Sequence, residues 1–213
     1  MTIDTKEALR YLGYRGREAD PRVLSEIAAC SQEILNAAVP RHRAVRVPVE
    51  SGPEGALTIA GLSLISRDLQ GHLRSCKEAF LFGATLGPQV DALLRRYSVT
   101  AMSRAVICQA CAAAAIESFC DEVEEELRRS VEPEGLFLRP RYSPGYGDFP
   151  IQWQKTLLQL LDAPKTIGLT ATESCMLAPS KSVTAVIGLT TDRTDCHIRK
   201  CMDWSAVNCP FPR

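Results

Sequence analysis

Aromatic side chains, net charge and long apolar runs are all scarce in this chain of 213 residues. Aromatics make up 6% of it, so any core must be built from aliphatic and small residues, and a hydrophobic content of 46% is enough for a real one. The 25 Lys and Arg balance the 25 Asp and Glu, which leaves no electrostatic footprint for nucleic acid or an anionic membrane. Neither is expected as a partner. No stretch approaches the roughly 18 consecutive apolar residues of a membrane span. The start, Met1-Thr-Ile-Asp-Thr-Lys-Glu7, lacks the apolar centre of a signal peptide, so a cytoplasmic protein is expected. Internal repeats and low-complexity tracts are missing as well.

Cysteine, by contrast, is plentiful. Nine is an odd number, and Cys30, Cys76, Cys108, Cys111 and Cys120 fall in helical segments or at their ends, which fits a reducing compartment better than a disulfide framework. Cys108-Gln-Ala-Cys111 has the spacing of a redox or metal pair. It lies inside an alanine-rich helix rather than at a helix start after a strand, so the usual cause of a low thiol pKa is missing and packing is expected. Cys196, Cys201 and Cys209 sit in a polar tail with no core to join. With Cys175 as a fourth ligand, or His197 as a substitute, they could hold zinc or an iron–sulfur cluster. Their spacing matches neither a zinc ribbon nor a ferredoxin run, and free thiols remain the alternative.

Periodicity predicts helices over 5–12 and 20–39, where Asp20-Pro21 reads as a cap and first-turn proline and Val23, Ile27, Cys30 and Ile34 form one stripe. Strands are expected over 41–49, with Val45, Val47 and Val49 on one face, and over 56–59, joined by the turn Ser51-Gly-Pro-Glu-Gly55. A helix over 66–76, a buried strand over 78–85 and a helix from Pro88 to about 97 follow. The longest helix is predicted over 100–129, and a short one over 154–161. A last strand over 181–189 should put Val183, Ala185, Ile187 and Leu189 inward. Irregular alternation of these elements predicts an α+β fold with a mixed or antiparallel bent sheet and packed helices. The expected organisation is one domain over 1–190, including an N-terminal helical segment over 1–40, then the tail 191–213. Two minor candidates, Asp68 with His72 on one helix face and Ala84-Thr-Leu-Gly87 before a helix, read better as a solvated face and core packing.

The segment 131–150 stands apart, since Pro133, Pro140, Pro144, Pro150, Gly135, Gly145 and Gly147 forbid a helix there. Pro144-Gly145 presets a tight turn. Backbone groups exposed in such a turn, beside the Arg141 guanidinium and the rings of Tyr142 and Tyr146, suit a zwitterionic ligand such as S-adenosylmethionine. The plainer alternative is a surface connection whose tyrosines pack on the core.

Four motifs then occur in one order: Arg141-Tyr-Ser-Pro-Gly-Tyr146, Leu161-Asp-Ala-Pro-Lys-Thr-Ile-Gly168, Thr172-Glu-Ser174, and Pro179 followed by Ser182-Val183. This series resembles the activation (reactivation) domain of cobalamin-dependent methionine synthase, most strongly over 138–190. The resemblance implies that Arg141 holds the carboxylate of S-adenosylmethionine, the backbones of Ser143 and Gly145 meet its adenine and ribose, and Tyr146 supports the loop. It places Glu173, with Lys181 and Ser182, at a corrinoid-facing edge. It further implies reductive remethylation of cob(II)alamin, with the cobalamin carried by a corrinoid-binding methionine synthase or related methyltransferase and the electron supplied by a flavodoxin or ferredoxin. These residues show no corrinoid-, homocysteine- or folate-binding module, so action on a separate protein is expected. Two departures stand out: Gly135 occupies the position of a family glutamate, with Glu134 beside it, and no tyrosine pair follows Leu189. Two other readings are a corrinoid-protein docking module without the small ligand, and a Cys-ligated metal or cluster protein feeding electrons to a corrinoid.

Overall fold

The computed structural model describes residues 1–14 and 18–192. By contact they form two compact units, one from Met1–Arg43, Gly83–Glu125 and Asp162–Val183, the other from Ala44–Phe82, Glu126–Leu161 and Thr184 onward. No described helix is long and apolar enough to cross a membrane.

The first unit is mainly helical. It contains α1 (Thr5–Tyr11), α2 (Pro21–Ala37), α4 (Pro88–Thr100), most of α5 (Met102–Val131), the short α7 (Ala163–Thr166) and a hairpin of β6 (Thr170–Ala171) with β7 (Leu177–Ala178). The Asp20 carboxylate caps α2 by accepting from the Arg22 amide at 2.7 Å, and Pro21 fills the first position, where no amide is needed. Ile27, Cys30 and Ile34, spaced three and four apart, form the buried stripe of α2. The small residues of α5 allow close approach. Cys108, Cys111, Ala112 and Ala115 are fully buried, and the Cys111 thiol lies 3.7 Å from the Ile27 carbonyl and 3.5 Å from the Ser31 hydroxyl. At the rim the Arg104 guanidinium donates to Glu26 and Glu33, and the Tyr97 hydroxyl also donates to Glu33. The Tyr97 and Arg104 hydrogen bonds hold the Glu33 carboxyl below its ordinary range.

The second unit is built on a sheet of order β3-β2-β1-β4-β8-β5, formed by β1 (Arg41–Ser51), β2 (Ala56–Ile59), β3 (Leu62–Ile65), β4 (Glu78–Thr85), β5 (Phe137–Leu138) and β8 (Ser182–Thr190). The helices α3 (Arg67–His72) and α6 (Trp153–Leu160) belong to it too. Elements β1, β4, α5 and β8 contribute residues to both units. The pairings of β1 with β2, β2 with β3 and β5 with β8 are antiparallel, so the fold is the predicted α+β class.

Val47 and Val49 are buried on β1 as the alternation predicts. On β8 the one-sided pattern fails. From Thr184 to Thr190 every residue is buried, so this interior strand, paired between β4 and β5, is covered on both faces. Helix α3 is also shorter than the predicted 66–76.

Candidate functional site

The proline-rich segment hangs from β8. Phe137 pairs with Thr190 and Leu138 with Leu189, and the ladder continues irregularly beyond β5. The Arg139 amide donates to the Gly188 carbonyl at 2.8 Å, and Tyr142 and Val186 exchange both backbone hydrogen bonds, at 3.0 and 2.9 Å. The chain then leaves the sheet. The Tyr146 amide donates to the Ser143 carbonyl at 3.2 Å across Pro144 and Gly145, whose φ of +93° supplies the left-handed corner expected of this dipeptide. A second tight turn follows, with the Phe149 amide donating to the Tyr146 carbonyl at 3.0 Å and the Gly145 amide to the Phe149 carbonyl at 2.8 Å. The loop is therefore shaped by its own backbone. Pro144 and Phe149 are buried, whereas the residues 145–148 between them are exposed.

A bracket from α3 supports it. Ser66 caps α3 by accepting from the Leu69 amide at 3.0 Å, and its hydroxyl donates to the Asp148 carboxylate. The same carboxylate accepts from the amides of Arg67 at 2.7 Å and Asp68 at 3.1 Å. In return, the Asp68 carboxylate accepts from the Asp148 amide at 3.0 Å. The Ser66 hydroxyl and these amides hold the Asp148 carboxyl below its ordinary value.

One turn along α3, His72 Nε2 lies 2.8 Å from the Pro140 carbonyl, and its ring lies 4.8 Å from that of Tyr142. Burial lowers the His72 pKa, so the neutral ring with its proton on Nε2 donates to that carbonyl. Aromatic contacts continue from Tyr142 to Phe149 at 6.3 Å and from Phe149 to Trp153 at 6.1 Å.

Four of the predicted ligand residues therefore share this loop of the second unit. Arg141 and Ser143 are half-buried, while Gly145 and Tyr146 are exposed, Tyr146 to 60%. Glu173 belongs to the first unit, exposed in the turn between β6 and β7, where Cys175 is a buried thiol at φ +65°. The predicted ligands Cys196, Cys201 and Cys209 lie outside the described residues. No group of three His, Cys, Asp or Glu among the described residues could hold a metal ion.

Also in the first unit, burial pushes up the Cys30, Cys108 and Cys111 thiols, in keeping with the packing role predicted for the Cys108–Cys111 pair. Burial likewise lowers the Lys181 pKa, and the Ser182 hydroxyl donates to Thr85 Oγ1 at 2.8 Å. A shallow cleft of about 220 Å³ in this unit is lined by Asp91, Leu94, Arg95, Ser98, Gln109 and Ser180. Its acid is already engaged, since Asp91 accepts from both the amide and the hydroxyl of Ser180 at 2.7 Å. None of the predicted ligand residues lines it.

Sequence reasoning gives no role to Asp148 and ranks Asp68 with His72 as a minor candidate only. Their four-residue spacing is the available signal; Asp68 is exposed as a solvated face predicts, whereas His72 is half-buried. Both side chains reach the loop.

A model of the family described as vitamin B12 dependent methionine synthase, activation domain, matches residues 77–203, more than half of the chain. The chain belongs to that family. Among solved structures, the crystal structure of the MetH reactivation domain bound to AdoHcy superimposes with a TM-score of 0.62 at 17% identity, covering 90% of this chain and 77% of that one. At that identity the likeness shows the fold. No curated protein matches the chain.

Proposed function

We propose that this chain binds S-adenosylmethionine at the Arg141–Tyr146 loop and serves the reductive reactivation of a cobalamin carried outside these 213 residues, on methionine synthase or a related corrinoid methyltransferase. One observation carries this reading: the Arg141–Tyr146 motif, inside the range the family model matches, forms an exposed, hydrogen-bonded double turn that starts at a half-buried arginine. The solved relative with this fold was crystallised with AdoHcy, the demethylated form of the same ligand.

The residues present fit the ligand. A guanidinium offers a bidentate partner to an amino-acid carboxylate. Backbone groups of Ser143 and Gly145, fixed in direction by the turn, can meet a purine edge and ribose without reorganising. Tyr146 offers an exposed aromatic face beside them.

The sulfonium supplies the electrophilic methyl group, and a reduced corrinoid, with one electron from a flavodoxin- or ferredoxin-type donor, supplies its acceptor. The protein's own part is positioning. Arg141 anchors the carboxylate end and the turn orients the nucleoside end. Glu173 is proposed to face the corrinoid partner from its own exposed turn.

Titration calorimetry with S-adenosylmethionine tests the reading. Binding by the unmutated chain should weaken about tenfold or more in Arg141→Ala, since a hydrogen bond to a charged group is worth about 1.5–3 kcal/mol. No heat at millimolar ligand would overturn it.

One observation favours a second reading, that of a corrinoid-protein docking module without the small ligand. Glu134, the residue beside the missing family glutamate, is held by the Arg46 guanidinium at 2.8 and 2.9 Å and so does not stand in for it. The same calorimetry separates the two.

A further inference from the structure

The turn that carries Gly145 and Tyr146 is exposed, yet it is fastened at both ends. Upstream, Tyr142 is bonded in both directions to Val186 on β8. Downstream, next to the buried Phe149, the polar anchor is Asp148. Its carboxylate takes three hydrogen bonds from Ser66, Arg67 and Asp68, and its amide returns one to Asp68. Between these anchors only Pro144 is buried, so side-chain packing does little to hold residues 145–148.

Gly147 shows how close the approach is. Its φ is +51°, and a Cβ there would fall 2.2 Å from Asp68 Oδ2 and 2.7 Å from the Tyr142 hydroxyl, positions no real side chain could share.

We infer that Asp148 and Asp68 form a reciprocal latch that sets the Pro144–Gly145–Tyr146 turn in its ligand-binding shape before any ligand arrives. They are positioning residues, not ligand contacts, and in that role the inference rests on the function proposed above. The direction of support follows from burial. Helix α3 is already capped by its own Ser66, and Leu69 and Leu73 are both fully buried, so it has anchors that the exposed residues 145–148 lack. The helix holds the loop. The latch is half backbone on the α3 side: two of the three donors to Asp148 are amides in the first turn, where unpaired N–H groups await a partner. Two carboxylates brought this close would repel one another. Four hydrogen bonds, each aimed at or from a fixed backbone or hydroxyl group, offset that repulsion and fix the geometry at the same time.

The experiment uses the full chain and two readouts. In ligand-free hydrogen exchange, Asp148→Ala should speed exchange at the amides of Gly145, Tyr146 and Phe149 by about tenfold or more while amides of α5 keep their rates. In calorimetry the same variant should weaken S-adenosylmethionine by about tenfold or more. Asp148→Asn keeps one acceptor oxygen and removes the partner of the Arg67 amide, so it should fall between the parent and Asp148→Ala in both readouts. Such graded rescue is what positioning predicts.

Unchanged loop exchange in Asp148→Ala overturns the latch. So does equal acceleration in α5, which would mark general destabilisation. If the unmutated chain binds no S-adenosylmethionine, the proposed function fails, and the exchange arm still decides whether the latch holds the turn.

Discussion

The helix pair around Cys30, Cys108 and Cys111 and the loop from Arg139 to Pro150 draw on opposite physics. The first is apolar and close-packed, and its thiols are buried with their pKa values pushed up, so that they are inert. The second is exposed at its tip and held by directional hydrogen bonds from β8 and α3. A motif with the spacing of a reactive pair is packing, while a segment with the composition of a plain surface connection is a loop held in one shape by hydrogen bonds. Spacing alone does not mark chemistry. What separates the two regions is whether polar groups are spent on fixing backbone that solvent can reach.

The largest effect should come from breaking the packed region. Ile34→Ala removes a fully buried side chain from α2 and should cost about 2–5 kcal/mol of stability in urea unfolding, leaving ligand affinity of the folded fraction unchanged. Arg141→Ala should do the converse, losing about 1.5–3 kcal/mol of ligand binding in calorimetry with a much smaller change in unfolding midpoint. If either substitution moved both properties equally, the contrast between the regions would collapse.

A pH titration sharpens it further. The His72 pKa is lowered by burial from its ordinary 6.5, so the unfolded chain takes up a proton before the folded one does. The stability tied to this histidine is complete above about pH 6.5 and declines as pH falls toward the lower folded value. Urea midpoints measured at descending pH should show that slope, and His72→Phe should flatten it. The smallest effect is expected from Cys108→Ala, about 1 kcal/mol, with Cys30, Cys108 and Cys111 alkylated only after unfolding.

Much of this fold was legible in the sequence because local signals agree with tertiary burial. The strands over 56–59 and 78–85 fall where they were expected, one after a Gly/Pro turn and the other just before Pro88. Asp20-Pro21 and Pro40 frame α2 in the same way.

Strand β3 was missed for a physical reason. The link from Ile59 to Leu62 is Ala60-Gly61, both at positive φ, and alanine gives no hint of such a corner. The burial of β8 on both faces comes from its interior position in the fold, which its own alternation does not reveal. Within the site, Pro144-Gly145 announced the turn, because those two residues set their own dihedrals. The spacing of Asp68 and His72 marks a shared helix face but not what it meets, because their partners lie 80 and 68 positions away.

That separation has an evolutionary consequence. The end of the loop at Asp148 is fastened from another part of the chain, by Ser66, Arg67 and Asp68, and the side chains of Ser143 and Tyr146 take no part in that fastening. Under the proposed function, substitutions at those two exposed or half-exposed positions are expected to alter ligand preference while the scaffold stays put, so a lineage could retune recognition without refolding the platform beneath it.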